Sequence, residues 1–341
     1  MIPHSKPFLS DADRTVLLSV MRSGMLAEGD KTKEFEENVR NYLEIPFGLA
    51  TSSGSSALSL SLLCLGLGKG DEVVIPTYVC NTVYKAVVNT GAKPILCDIG
   101  PDWNMTFESV GERISRKTKA IILVHIFGIN AWDNRFRDFN IPVIEDFCQA
   151  FSKSNSSGDW KLNGISGVYS FHATKCLCTG EGGFIVTRNA SIFKKIRNLK
   201  DNHNPFSRMT DLQATLGISQ LHQYPSMLAR RNKLAKIYLK ELNPELISDI
   251  TRLQGKSMFF RFPIKLKMPK AQEAITKFSK MGIAIRKGVD SLIHKELKRK
   301  DKDFPNATYQ FHRTLSLPIY PSLTGKEQKK IIHAVNSNLV L

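Results

Sequence analysis

Three short stretches hold residue types that could do chemistry together: Lys175 within "SFHATKCLCTGEGG", Asp146 at the end of "IPVIED", and the small polar run "TSSGSSALSLSLL" that begins at Thr51. A lysine amine forms a Schiff base with a carbonyl, and a lysine beside a glycine-rich turn is placed to reach one. A carboxylate leaving a buried strand can keep a ring nitrogen protonated and so make the ring an electron sink. In the third stretch residues 51–53 read as the end of a strand and Gly54 allows close backbone approach. Ser55 and Ser56 then open a helix whose unpaired N–H groups and dipole favour a phosphate. Amine, carboxylate and phosphate cup are together the parts that bind and use pyridoxal phosphate.

The elements that must position these parts are legible in the hydrophobic rhythm. From Glu72 onward, short apolar runs ("EVVIP", "KPILCDI", "KAIILVHIF", "IPVIED") alternate with helical stretches ("NTVYKAVVNTG", "TFESVGERIS"). Runs without polar alternation indicate strands buried on both faces, and the helices between them supply crossovers. The expected class is therefore α/β with a large, mostly parallel sheet. Ligands of such a sheet lie beyond the carboxyl ends of its strands, which singles out Thr77, Tyr78, Asp98, His125, Glu145 and Asp146. Upstream, Ser10 with Asp13 predicts a capped helix that stops at Gly24, and a second helix is expected near 31–43. Downstream, a long helix over 208–242 leads to a smaller α+β domain with strands in "MFFRFPIKL" and "GIAIRKG" and a last helix capped near Thr324. The expected division is 1–225, the N-terminal helices with the cofactor-binding α/β domain, and 226–341, the small C-terminal domain. The glycines of "GLGKGDEVVIP" follow a helix and precede a strand, the reverse of a dinucleotide-binding fingerprint, and read as a turn.

The 341 residues are 42% hydrophobic and 23% charged, a globular balance with room for two packed units. No apolar run is long enough to span a bilayer, and the N-terminus lacks the apolar stretch of a signal peptide. A soluble, cytoplasmic protein without membrane insertion is expected. The net charge is +17. Its densest run, "HKELKRKDKD" at 294–303, is interrupted by acids and carries no aromatic platform, so it reads as solvated surface, with no nucleic-acid partner. Cys64, Cys80, Cys97, Cys148, Cys176 and Cys178 sit mostly in apolar runs without zinc spacing; they read as reduced core thiols, and no metal site is expected.

The motifs "SFHATKCLCTGEGG", "EDFCQA", "TSSGSSAL", "SGMLAEGDKTKEFEE", "RMTDLQATLG" and "LSLPIYPSLT" resemble, in order and spacing over nearly the whole chain, the sugar aminotransferase family of the DegT/StrS type. The resemblance implies the pyridoxal phosphate-dependent transferase fold type I (aspartate aminotransferase-like) and a homodimer with shared active sites. It implies transfer of an amino group from glutamate to a nucleotide-linked keto sugar, a 3- or 4-keto deoxyhexose, with pyridoxamine phosphate as the intermediate form of the cofactor. By the same resemblance Lys175 carries the aldimine and moves the proton, Asp146 pairs with the pyridine nitrogen, and Gln149 hydrogen-bonds the ring hydroxyl oxygen. Tyr78 would stack on the ring, and Gly54, Ser55 and Ser170 would hold the phosphate. The implied products feed polysaccharide or lipopolysaccharide biosynthesis.

The chain also departs from the family. Phe206 stands two residues before "RM", where the family has an asparagine given to the partner subunit's cofactor phosphate, and Asn204 is the candidate substitute. The segment "HIFGINAWDNRFRDFNIPVIED" is short, and "RKGVDSLIHKEL" departs from the substrate-loop pattern, so the sugar is left open. His125 and His172 lack ligand spacing and are expected to pack around the cofactor pocket. Two other readings are weighed. A pyridoxamine-dependent sugar dehydratase would replace the lysine and so conflicts with Lys175; a non-catalytic, cofactor-binding regulatory protein would work through its basic surface.

Overall fold

The computed structural model describes residues 1–153, 160–203, 207–252 and 255–339. Helices α1 (Asp11–Ser23) and α2 (Asp30–Leu43) lead into β1 (Phe47–Thr51), α3 (Gly54–Leu63), β2 (Glu72–Pro76), α4 (Asn81–Val88) and β3 (Lys93–Cys97). Then come α5 (Phe107–Gly111), β4 (Thr118–Val124), β5 (Val143–Asp146), β6 (Ser166–Ser170), β7 (Gly183–Thr187) and α6 (Ala190–Asn198). The 31-residue α7 (Asp211–Glu241) connects to α8 (Pro244–Arg252), β8 (Phe262–Lys265), α9 (Ala271–Lys280), β9 (Arg286–Lys287), α10 (Ile293–Glu296), α11 (Pro305–Arg313), β10 (Thr314–Leu317) and α12 (Gly325–Asn338).

Seven strands form one sheet in the order β1-β7-β6-β5-β4-β2-β3. Neighbours from β6 to β3 are parallel, while β7 runs antiparallel to both β6 and β1. Five parallel strands therefore end at the same edge, and β1, reversed twice through β7, ends there too. Val73, Val74, Ile75, Ala120, Ile121, Ile122, Leu123 and Ile144 are fully buried, which is why their runs show no polar alternation. The second sheet, β8-β10-β9, is antiparallel. The start of the chain forms an isolated bridge to the segment before β9: Ile2 N donates to Gly282 O at 2.8 Å, and Ala284 N donates to Ile2 O at 2.9 Å.

Capping signals are met where the sequence puts them. Ser10 and Asp13 close a capping box at α1, which stops at Gly24 with φ at 71°, and Thr324 and Glu327 do the same for α12. The helix expected from Arg208 begins only at Asp211, because Thr210 and Gln213 form its capping box. The stretch "TFESVGERIS" keeps just the five residues of α5. No helix among the described residues is long and apolar enough to cross a membrane.

Candidate active site

The common strand edge gathers most of the residues with chemical potential. An idealised Cβ on Gly54 would lie 2.8 Å from Ser170 Cβ and 3.1 Å from Cys148 Sγ, so only glycine lets α3 begin this close to the ends of β5 and β6. Ser53 caps the helix by accepting from Ser56 N at 3.1 Å. The N–H groups of Gly54 and Ser55 stand at the open end of α3. Ser170 Oγ accepts from His172 N at 3.4 Å.

On β5 the alternation of a strand turns two neighbouring carboxylates to opposite faces. Asp146 is 5% exposed and accepts from Cys148 N at 2.9 Å through Oδ1. Among the described residues its other oxygen accepts no hydrogen bond and no cation pairs with it. Glu145 is fully buried and accepts from Asn163 N at 2.6 Å and Gly164 N at 2.7 Å through Oε1, while Oε2 lies 3.2 Å from His125 Nε2. Ala131 N donates to His125 Nδ1 at 3.0 Å, so the network assigns the imidazole proton to Nε2, facing Glu145. The His125 ring stacks on Phe147 with centroids 4.2 Å apart. His125 thus packs as a core group, but behind β5 on the Glu145 side rather than around the pocket on the Asp146 side.

Lys175 rides a loop between β6 and β7 that bonds to itself. Phe171 N donates to Gly182 O at 2.7 Å, Thr179 N to Phe171 O at 2.8 Å and Ala173 N to Gly180 O at 2.8 Å, with Gly180 turning the chain at φ 81°. Within it Lys175 N donates to His172 O at 2.8 Å, and the His172 ring nitrogen Nδ1 sits 2.8 Å from Thr174 Oγ1. The Lys175 side chain is half-buried, with Nζ 5.2 Å from the centre of the Phe260 ring. Among the described residues no carboxylate pairs with it, so the amine is left available to react.

Gln149 accepts from Phe127 N at 2.8 Å through Oε1, which fixes the amide and presents Nε2 as a donor. Tyr78 departs from expectation. Its ring is fully buried, its hydroxyl lies against Gly288 beside Thr314, and burial pushes the phenol well above its ordinary range. A ring with no accessible face cannot stack on a bound ligand, so the stacking role is withdrawn. Two residues on, Cys80 is exposed, contrary to the reading of the cysteines as core thiols. Although the residue reaches solvent, its thiol is held above the ordinary value first by desolvation among the protein atoms around it and then by Asp146, with Lys175 pulling the other way. Thr77 and Asp98 bind structure instead: His294 Nδ1 is 2.8 Å from Thr77 Oγ1, and Asp98 accepts from Asn306 N at 2.9 Å and Ala307 N at 2.8 Å at the start of α11. Asn204 and Phe206 lie outside the described residues.

An unpaired amine, a buried carboxylate with one oxygen spare, and a serine-rich helix start cradled at a glycine suit a phosphorylated aromatic aldehyde. A model of the DegT/DnrJ/EryC1/StrS aminotransferase family matches residues 9–336. The chain belongs to this family. It is 28% identical to the spore coat polysaccharide biosynthesis protein SpsC of Bacillus subtilis, with 98% of this chain and 96% of that protein covered. It is 26% identical to GDP-perosamine synthase of Escherichia coli O157:H7, with 98% of each covered. The solved structure of Spr1654 from Streptococcus pneumoniae, in its PMP form, matches with a TM-score of 0.86 and 26% identity over 98% of this chain and 97% of that one. This aminotransferase has the α/β architecture of fold type I, as its motifs imply.

Sequence reasoning missed Cys80, Cys148, Phe260 and Arg261. The first two lie within residues of a strand end and could have been found by the strand-edge rule. Phe260 and Arg261 come from the far half of the chain, where no local pattern marks them.

Proposed function

We propose that this aminotransferase uses pyridoxal phosphate to move an amino group from glutamate to a nucleotide-linked 3- or 4-keto deoxyhexose. The observation that carries the reading is Lys175: an amine without an acid partner, on a self-bonded loop at the edge that also holds Asp146 and the start of α3. The cofactor, when bound, supplies an electron sink for the carbon that loses its proton. Asp146 would hold the proton on the ring nitrogen through its spare oxygen, and Gln149 Nε2 would donate to the ring oxygen. The N–H groups of Gly54 and Ser55, with Ser170 Oγ, would take the phosphate. Lys175 Nζ would be the point of attachment at rest, and once displaced it would take the proton from one carbon and return it at another.

The sugar substrate is supported by GDP-perosamine synthase and SpsC, whose names also favour a place in polysaccharide biosynthesis. The same proposal includes a cytoplasmic homodimer with shared sites. Its test is the visible spectrum of the protein with pyridoxal phosphate, before and after glutamate, beside Lys175→Ala. A yellow band that bleaches with glutamate, and never forms covalently in the variant, is expected. A band indifferent to Lys175 would sink the reading.

A further inference from the structure

A cavity of about 20 Å³ opens beside Lys175, lined by His4, Lys6, Phe260, Arg261 and Tyr320 among others. It has room for about one water-sized group. The start of the chain reaches it because Ile2 is bonded to Gly282 and Ala284, and His4 Nε2 is 2.9 Å from Ser316 Oγ. Two cations share its aromatic wall: Lys175 Nζ lies 5.2 Å and Arg261 Cζ 5.7 Å from the centre of the Phe260 ring.

The two arginines of this cavity differ. Arg231 is buried, and its guanidinium donates to the carbonyl oxygens of Phe259, Phe260 and Ile319 at 3.2, 3.0 and 2.7 Å. Arg261, half-buried, has no hydrogen bond or ion pair among the described residues. Burial and the neighbouring Arg286 both pull its guanidinium below its ordinary range, and Asp290 acts on it only through its field. The imidazole of His4 is pushed down to about 3 by burial and by these arginines, so it stays neutral and adds no cation. An enclosed guanidinium without an acid is costly until an anion arrives.

We propose that Arg261 is the receptor for a carboxylate of the amino donor, which it holds while the donor's amine faces Lys175; the proposal rests on the aminotransferase reading. A guanidinium matches a carboxylate fork to fork. An amino acid joins an amine and a carboxylate over a few bonds, as the shared Phe260 ring joins the two cations.

The test titrates the full chain, loaded with pyridoxal phosphate, with succinate, a dicarboxylate that has no amine to transfer, and separately with UDP, by calorimetry. Succinate should bind on the order of tenfold more weakly, or worse, to Arg261→Leu, as expected for a lost charge-assisted contact. Arg261→Lys, which keeps the charge and guards against misfolding, should fall between, and UDP should not distinguish the proteins. Succinate binding indifferent to Arg261, no succinate binding at all, or UDP as the ligand that is lost would each overturn the proposal. In the same proteins, bleaching by glutamate with equal half-saturation in native and Arg261→Leu overturns the subsite and leaves the aminotransferase standing. No bleaching in the native protein overturns that reading, and the succinate titration still decides the subsite.

Discussion

The two walls of the cleft are made by different means. One wall, with Gly54, Asp146, Ser170 and Lys175, consists of strand ends and turns of a single sheet, and backbone hydrogen bonds set nearly every position. The other brings Phe260 and Arg261 from before β8, His4 and Lys6 from before α1, and Tyr320 from after β10. The small sheet holds those three segments together, and Arg231 of α7 ties the Phe260 segment to the stretch after β10 through the carbonyls of Phe259, Phe260 and Ile319. The first wall is therefore suited to chemistry that every substrate shares, and the second to telling substrates apart.

The largest effect should come from the first wall. In the proposed function Lys175→Ala removes both the attachment point and the proton carrier, and turnover should fall by about 10³-fold or more, since acid–base and covalent contributions are lost together. Steady-state rates with glutamate and a keto sugar nucleotide check this; a residue on the second wall with an equal effect would erase the distinction. Next comes a brace behind the first wall. Glu145→Ala strips the acceptor from Asn163 N and Gly164 N and removes the carboxylate that lies 3.2 Å from His125 Nε2. Leaving buried donors such as these without an acceptor costs about 1–3 kcal/mol of stability. Urea denaturation should show that loss, with Glu145→Gln in between; a loss under about 1 kcal/mol, typical of an exposed position, would refute the brace.

The same contrast explains what was legible. Asp146, Lys175 and the start of α3 each sit inside a local pattern: an apolar run that ends, a glycine-rich turn, a serine cap. Local backbone rules act over a few residues, so the sequence betrays them, and the capping boxes at Ser10 and Thr324 were visible for that reason. Tyr78 was misread because the strand-end rule tells where a residue sits but not which way its side chain points. Its ring turned toward Gly288 and the C-terminal half, and Cys80 took the open position. Arg261 has no local signature at all, because its significance comes from lacking a partner in three dimensions.

The second wall should reveal itself through pH. His4 titrates near 6.5 when unfolded, whereas in the fold burial, then Arg261, Arg286 and Arg231, hold it to about 3. Between those values the unfolded chain binds a proton that the folded chain does not, so the contribution present above pH 6.5 is lost as the pH falls. The loss is about 1.4 kcal/mol per pH unit, or about 2 kcal/mol at pH 5. His4→Gln, which can still bond Ser316, removes this term. The stability advantage of the native protein over the variant, measured by denaturation, should therefore shrink by about 2 kcal/mol between pH 7.5 and pH 5. An advantage independent of pH would mean that neither burial nor the neighbouring arginines hold His4 neutral in the fold.

The smallest effect is expected where the charge is densest. Lys300 and Lys302 are exposed, in the densely charged run 294–303, and neither has an ion-pair partner among the described residues. Water and salt screen such charges beyond about 8–10 Å. The double change Lys300→Glu with Lys302→Glu alters the net charge by four, yet stability should move by no more than about 0.5 kcal/mol. Succinate affinity should move less than about twofold, because screened charge acts only at short range. Arg261→Leu alters the net charge by one and should cost on the order of tenfold. If the double variant weakened succinate as much as Arg261→Leu does, the anion would be responding to the field of the whole basic surface, and the difference between the walls would be one of charge alone.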